Sequence, residues 1–167
     1  MKTILRKVSL NHVNNFTKWW RDKELVALTS GNFDKMSDKE ILDSVSSMAK
    51  NKLHWMIEAD AKTVGHIDLE KINSLKAELQ IVIGEKEYWG KGVAKEAVLQ
   101  VLDKATNLGF KDIYLEVRPT NIRAISFYEK IGFEKMGIKK YPANQSLPTV
   151  ITMEKELVND KKSKNVK

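Results

Sequence analysis

A chain of 167 residues that is 42% hydrophobic and 31% charged reads as one ordinary globular domain, long enough to bury roughly 68–70% of its unfolded surface without staples. No apolar run approaches a membrane-spanning helix, which needs about 20 residues, and cysteine is absent, which excludes disulfides, thiolate nucleophiles and sulfur-ligated metals. The formal charge of +7 does not argue for nucleic acid, because residues 159–167, NDKKSKNVK, hold four Lys and one Asp and so supply +3 of it, while the remaining +4 is interleaved with acids and forms no basic stripe with aromatics.

The opening MKTILRKVSL lacks the long apolar core and small-residue cleavage site of a signal peptide, so a cytoplasmic protein without membrane association is expected. ILRKV (4–8) reads as a first strand. Asn11 can cap a helix on which Val13, Phe16 and Trp20 share a face. Ser37-Asp38-Lys39-Glu40 is a capping box, followed by an apolar stripe of Ile41, Leu42, Val45, Met48 and Ala49. LHWMIEA (53–59), TVGHIDLEKI (63–72) and AELQIVI (77–83) then form an antiparallel meander, joined by DAK and NSLK. In the third strand Leu79, Ile81 and Ile83 take one face, and Glu78, Gln80 and Val82 the other.

After Gly92 the period turns helical through Ala94, Ala97, Val98, Val101, Leu102, Ala105 and Leu108, with Gly109 placed to end the helix. DIYLEV (112–117) is a strand, Arg118-Pro119 a turn, and Thr120 or Asn121 caps a helix closed by Gly132. Strands near 133–141 and 148–157, joined by PANQS, complete the order β-α-α-β-β-β-α-β-α-β-β. Residues 1–158 are expected to be one domain and 159–167 a basic, disordered tail.

The stretch EYWGKGVAKEAV (87–98) is the junction of a strand with a strongly marked helix. Such a junction presents unpaired N–H groups and the positive end of the helix dipole, and glycines at 90 and 92 let a ligand approach without meeting a Cβ. On the residues alone an anion cradle and a plain tight turn both stand. A Walker loop fails in register and hydroxyl, since Lys91 is followed by Gly92. A dinucleotide fingerprint fails because Lys95 stands three residues after Gly92.

GEKEYWGKGVAKEAV (84–98), followed by NIRAISFYEKIGF (121–133), resembles the GNAT superfamily of acetyl-CoA-dependent N-acetyltransferases over most of residues 1–157. Within it the chain is most similar to the branch of ribosomal-protein N-terminal and spermidine acetyltransferases. Gly90 and Gly92 match the family's loop, whereas Glu87 stands where Gln or Arg is usual. The resemblance implies an α/β (α+β) single-domain GNAT fold, with a mixed, mostly antiparallel sheet splayed in the middle and about four flanking helices. It implies acetyl-CoA as cosubstrate, held by backbone N–H groups of Gly90, Lys91, Gly92, Val93 and Ala94, by the strand end at Val82 and Ile83, and by Asn121. It also implies that Tyr128 protonates the departing thiolate. Asn121 as a helix cap, and Tyr128 beside Phe127 as core, are the alternatives that the residues themselves leave open.

An alkylammonium must lose a proton before it can attack. Glu78 is the first candidate base, with Glu116 and Asp68 behind it. No Cys or activated Ser is evident to carry an acetyl intermediate, so direct transfer in a ternary complex is expected. No metal is expected: His12, His54 and His66 are scattered, without an H-E-x-x-H pattern or an i,i+4 pair. The implied partner is a primary amine on a protein N-terminus, polyamine, amino acid or aminoglycoside, with WWRDKELVALTSGNF (19–33) covering the acceptor side and Trp19-Trp20 either lining a cleft or packed in the core. Asp22 and Glu24 either attract a cationic amine or are merely solvated. A homodimer is possible. A silent acyl-CoA-binding sensor and a basic nucleic-acid-binding module are the competing classes.

Overall fold

The computed structural model describes residues 2–29, 35–144 and 149–157. The tail 159–167 and part of the PANQS loop lie outside the described residues. Seven strands form one sheet in the order β1-β2-β3-β4-β5-β7-β6. They are β1 (Thr3–Lys7), β2 (His54–Ala59), β3 (Lys62–Lys71), β4 (Lys76–Ile83), β5 (Asp112–Val117), β6 (Glu134–Lys140) and β7 (Thr149–Glu156). The expected meander is β2-β3-β4, with antiparallel pairing throughout. The one parallel pair, β4 with β5, is held only from Lys76–Glu78 against Asp112–Tyr114. Parallel neighbours need a crossover, and α4 (Val93–Asn107) supplies it. Beyond Glu78 the two strands part, so the sheet is splayed in its middle.

The period of two along each strand sorts the side chains into two cores. Ile57, Ile67, Leu79, Ile113, Leu115 and Met153 pack with Val98, Val101 and Ala105 of α4 on one face. On the other, Met56 joins Phe16, Trp19, Trp20, Ile41 and Val45, carried by α1 (Val13–Trp20) and α3 (Asp38–Lys50). The α3 capping box forms as expected, with Glu40 N–H donating to Ser37 Oγ at 3.3 Å and Ser37 N–H to the Glu40 carboxylate at 2.7 Å. Leu42, expected on the apolar stripe, is 45% exposed, because it lies a residue beyond the face that Ile41 and Val45 bury.

Two local features differ from the sequence reading. The described helices number five rather than about four: α2 (Lys23–Leu28) was not foreseen, because six residues are too few for an apolar period to show. Its N-cap is Asp22, whose carboxylate accepts the N–H groups of Glu24 and Leu25. Asp22 and Glu24 also clasp Lys86 at 2.8 and 2.6 Å, so both help to tie the start of α2 to the loop after β4. The first helix does not start at Asn11. A 3-10 turn, Leu10–His12, precedes it, and Ser9 N–H donates to His12 Nδ1 at 3.0 Å. The fifth helix, α5 (Ile122–Lys130), is capped by Asn121.

Candidate active site

β4 leaves the sheet at Gly84, makes a 3-10 turn at Lys86–Tyr88 and enters α4 through Gly90-Lys91-Gly92. Gly90 and Gly92 have φ of +74° and +86°, the left-handed region that costs other L-residues about 1–2 kcal/mol. A Cβ built on either would meet nothing within 4 Å, so space rather than packing faces both. Their N–H groups find no acceptor among the described residues, whereas that of Lys91 makes a long 3.4 Å contact with the Tyr88 carbonyl. The opening N–H groups of α4, at Val93 and Ala94, are free as at any helix start, with the dipole's positive end behind them. Gly84 is needed for a different reason: a Cβ there would lie 2.3 Å from the Trp19 ring.

The parted strands continue this cradle inward. Gly84 N–H bonds the Val64 carbonyl at 2.8 Å, and antiparallel alternation then turns the backbone of Val82 toward β3 and that of Ile81 and Ile83 toward the opening. The Ile83 carbonyl accepts the Trp89 indole N–H at 2.8 Å, and the Arg123 guanidinium lies over that indole, 4.3 Å from the ring centroid. Val82, Ile83, Gly90, Gly92, Val93, Ala94, Asn121, Arg123 and Tyr128 all line this cleft.

Tyr128 stands at its inner end. The ring is held by Phe127 and Phe133, with centroids at 5.0 and 5.5 Å, and the residue is 8% exposed. Its hydroxyl has no hydrogen-bond partner among the described residues, and burial raises the phenol pKa, which keeps the proton on oxygen at neutral pH. Asn121 Oδ1 accepts the Ala124 N–H at 3.2 Å, so it caps α5 while facing the same space. The core and cap readings hold geometrically without removing either residue from the cleft.

A second cleft opens on the other side of Tyr128, and Val82, Asn121 and Tyr128 line both. Its floor is acidic. Cross-strand register sets Glu70 opposite Glu78, Asp68 opposite Gln80, and Glu78 opposite Tyr114. Burial, then repulsion from Glu70 and Glu78, lifts Asp68 to about 7. Burial, then Glu116 and Glu70, likewise raises Glu78, which has no hydrogen-bond partner among the described residues. Glu116 differs. Burial works against its charge, but hydrogen bonds from Tyr114 (2.6 Å), Lys139 (2.9 Å) and Tyr141 (2.7 Å) hold it below the ordinary range. Among the three candidate bases it is the one already committed to other partners.

Two histidines complete this wall, and the sequence reading of them as scattered is corrected. Neighbouring strands carry His54 and His66, and their rings stack with Nε2 of the first 3.2 Å from Nδ1 of the second. Burial lowers His54 to about 4; burial, then His54, lowers His66 to about 3. His54 lies 3.8 Å from Asp68. With the carboxyl titrating near 7 and the imidazole near 4, the two are never fully charged together, so this contact is not an ion pair. Trp19 and Trp20 do both things expected of them: at 2% and 5% exposure they are core, and their edges line the cleft. Trp89, Arg123 and Ile81 escaped the sequence reading. Only the aromatic Trp89, inside the quoted loop, offered a signal.

A sheet that opens between two of its own strands, with a helix N-terminus at the mouth, has the architecture of acyl-CoA-dependent transferases. The family model of the acetyltransferase (GNAT) domain matches residues 2–134, and the chain belongs to this family. It is 31% identical over 123 residues to a spermidine N(1)-acetyltransferase of Escherichia coli K12, the match spanning 72% of this chain and 61% of that enzyme. It is also 31% identical over 90 residues to an uncharacterised protein of Methanocaldococcus jannaschii, across 52% of this chain and 19% of that protein. The chain therefore covers less than two thirds of either relative. Its fold is similar to that of a Vibrio cholerae spermidine N-acetyltransferase solved in complex with CoA and spermine, with a TM-score of 0.78, 23% identity, and coverage of 93% of this chain and 95% of that one.

Proposed function

We propose that this protein is an N-acetyltransferase that moves the acetyl group of acetyl-CoA to a cationic primary amine by direct transfer in a ternary complex. The carrying observation is that Tyr128 stands where the two clefts meet, one bordered by a helix N-terminus and the other floored by carboxylates. Acetyl-CoA supplies the activated thioester. The residues fit it: the uncovered N–H groups of Gly90, Gly92, Val93 and Ala94, with Lys91 and Arg123 close by, suit the pyrophosphate. The Ile81 backbone edge and the Ile83 N–H suit an extended amide-bearing arm, the Ile83 carbonyl being taken by Trp89. Val82 contributes its side chain where the clefts join.

The amine gives up its proton to a carboxylate, its nitrogen bonds the acetyl carbon, the carbon–sulfur bond breaks, and Tyr128 returns a proton to the thiolate. Glu78 and Asp68 are the bases best suited, since environments that raise a carboxyl toward neutrality match its affinity to the task. Glu70 and Glu116 add negative charge that attracts an acceptor with more than one ammonium group. The spermidine acetyltransferase relative supports the same class of acceptor.

A silent acyl-CoA-binding sensor would have no use for an unpartnered tyrosine hydroxyl facing an acidic cleft, so the enzyme reading is preferred. The absence of cysteine accords with a cytoplasmic setting. Among the described residues, no helix is long and apolar enough to cross a membrane. Thiol release from acetyl-CoA, measured against polyamines, aminoglycosides, amino acids and N-terminal peptides, tests the proposal. Turnover is expected with polyamines first, and acetyl-CoA binding without turnover on any amine would favour the sensor.

A further inference from the structure

Two of the three histidines meet on the wall of the acceptor cleft, where the proposed transfer gives them no part. The β2–β3 register sets His54 opposite Asp68, and the period of two along β3 turns His66 to the face that Asp68 occupies. His54 Nε2 is 3.2 Å from His66 Nδ1 and 3.8 Å from Asp68 Oδ1, and one donor atom from each residue falls within 4.8 Å of the others. Two imidazoles and a carboxylate from adjacent strands are thus gathered in one cluster on the lining of the cleft.

We propose that His54, His66 and Asp68 form a binding site for a divalent transition-metal ion of the zinc type, opening onto the acceptor cleft. Tetrahedral zinc holds its nitrogen ligands about 2.0–2.1 Å away, hence roughly 3.3 Å from one another. The imidazole nitrogens already stand at 3.2 Å, and the Asp68 carboxylate, 3.8 Å from His54 and within 4.8 Å of His66, must draw closer to both to complete the set. Mixed nitrogen and oxygen donors favour zinc and its first-row neighbours over calcium or magnesium, which prefer all-oxygen shells. Burial keeps both imidazoles neutral, the form that ligates. Glu70 and Glu78, whose repulsion opposes the charge on Asp68, add negative potential that a dication would relieve.

His54, His66 and Asp68 all line the acceptor cleft, so a fourth ligand could reach the ion from that side. Among the described residues His66 Nε2 has no hydrogen-bond partner and so lacks the outer contact that tightens a permanent site. A reversible site follows, rather than a structural one. An occupied site places positive charge where a cationic acceptor would approach, so the ion opposes acetyl transfer; that consequence rests on the proposed function, whereas binding itself does not.

The test uses the full chain, stripped with chelator and titrated with zinc chloride by calorimetry, with cobalt(II) absorption as a second probe. One ion per chain is expected, together with the intense visible bands of tetrahedral cobalt. His54→Gln and Asp68→Asn should each weaken zinc binding at least tenfold, while His12→Gln, at the distant turn where Ser9 occupies Nδ1, should not change it. If either cleft variant fails to unfold cooperatively, the wild-type cobalt spectrum decides. Absence of saturable binding, an octahedral cobalt spectrum, or affinity unchanged in both cleft variants would reduce the pair to a hydrogen-bonded contact and overturn the site, leaving the acetyltransferase reading untouched.

Discussion

Tyr128 shows how one side chain can satisfy two readings. Its ring is core by burial and by contact with Phe133, and that packing is what aims an otherwise unpartnered hydroxyl at the junction of the clefts. Tyr128→Phe should therefore preserve folding and acetyl-CoA affinity while lowering kcat by roughly 10²-fold, the low end for general acid catalysis, because a thiolate leaves tolerably well unaided. Steady-state kinetics with the identified acceptor, beside a direct binding measurement, separate the effects. Wild-type kcat under chemistry-limited conditions would return Tyr128 to a packing role. Nothing local distinguishes this tyrosine from an ordinary core aromatic. Its position in the motif suggested the role through family resemblance, and only the assembled cleft supplies a geometric reason.

At the scale of elements, the loop entering α4 couples backbone conformation to ligand space. Gly92→Val introduces strain at positive φ, about 1–3 kcal/mol, and also fills the open cradle. Gly109, at the other end of α4 with φ of +91° and nothing within 4 Å of its built Cβ, is a matched control. Both Gly→Val variants should lose comparable thermal stability, but only the one at position 92 should lose acetyl-CoA affinity, by at least tenfold, or about 1.4 kcal/mol. Equal affinities in calorimetric titration of the two folded variants would move the pyrophosphate elsewhere. This junction was readable in advance because helix periodicity and glycine punctuation are properties of adjacent residues. The short α2 was not, since it depends on Leu25 finding the core beside Trp20 and on Lys86, 62 residues from Glu24, closing over its start.

For the molecule as a whole, the buried histidines set an acid limit. In the metal-free protein His54 and His66 take up protons only near 4 and 3, whereas unfolded imidazoles do so near about 6.5. Below that value the unfolded state binds two protons that the fold refuses, and stability falls with pH. Asp68, raised to about 7, has the opposite sign: folded, it binds a proton that its unfolded counterpart releases above about 3.9. Glu78, also raised by burial and its acidic neighbours, shares the sign of Asp68, so the net excess is at most one proton and predicts a loss of no more than about 1.4 kcal/mol per pH unit between pH about 6.5 and 5. Asp68→Asn should steepen it toward twice that. Denaturant titrations across this window check both, and a profile flat in the variant as well would mean the imidazoles are hydrated rather than buried. Separately, deleting residues 159–167, outside the described residues, should leave thermal stability and acetyl-CoA affinity nearly unchanged. Loss of cooperative unfolding would mean that this segment docks.

By itself the sequence determined what is local: the capping box at Ser37, the meander whose pairing follows from short connections, the helix opening at Gly92 and the alternation along β4. These depend on residues within a turn or two of one another, and their physics is complete over that range. The tertiary structure decided what depends on distant partners. It inserted β7 between β5 and β6, ended the β4–β5 pairing after three residues, and gathered Asp68, Glu70, Glu78 and Glu116 from three strands into one acidic wall. It also joined two histidines that lie 12 positions apart. Burial and cross-strand register depend on the whole chain packing at once, so the charge state of those groups, and with it their chemistry, came into being only when the sheet closed around them.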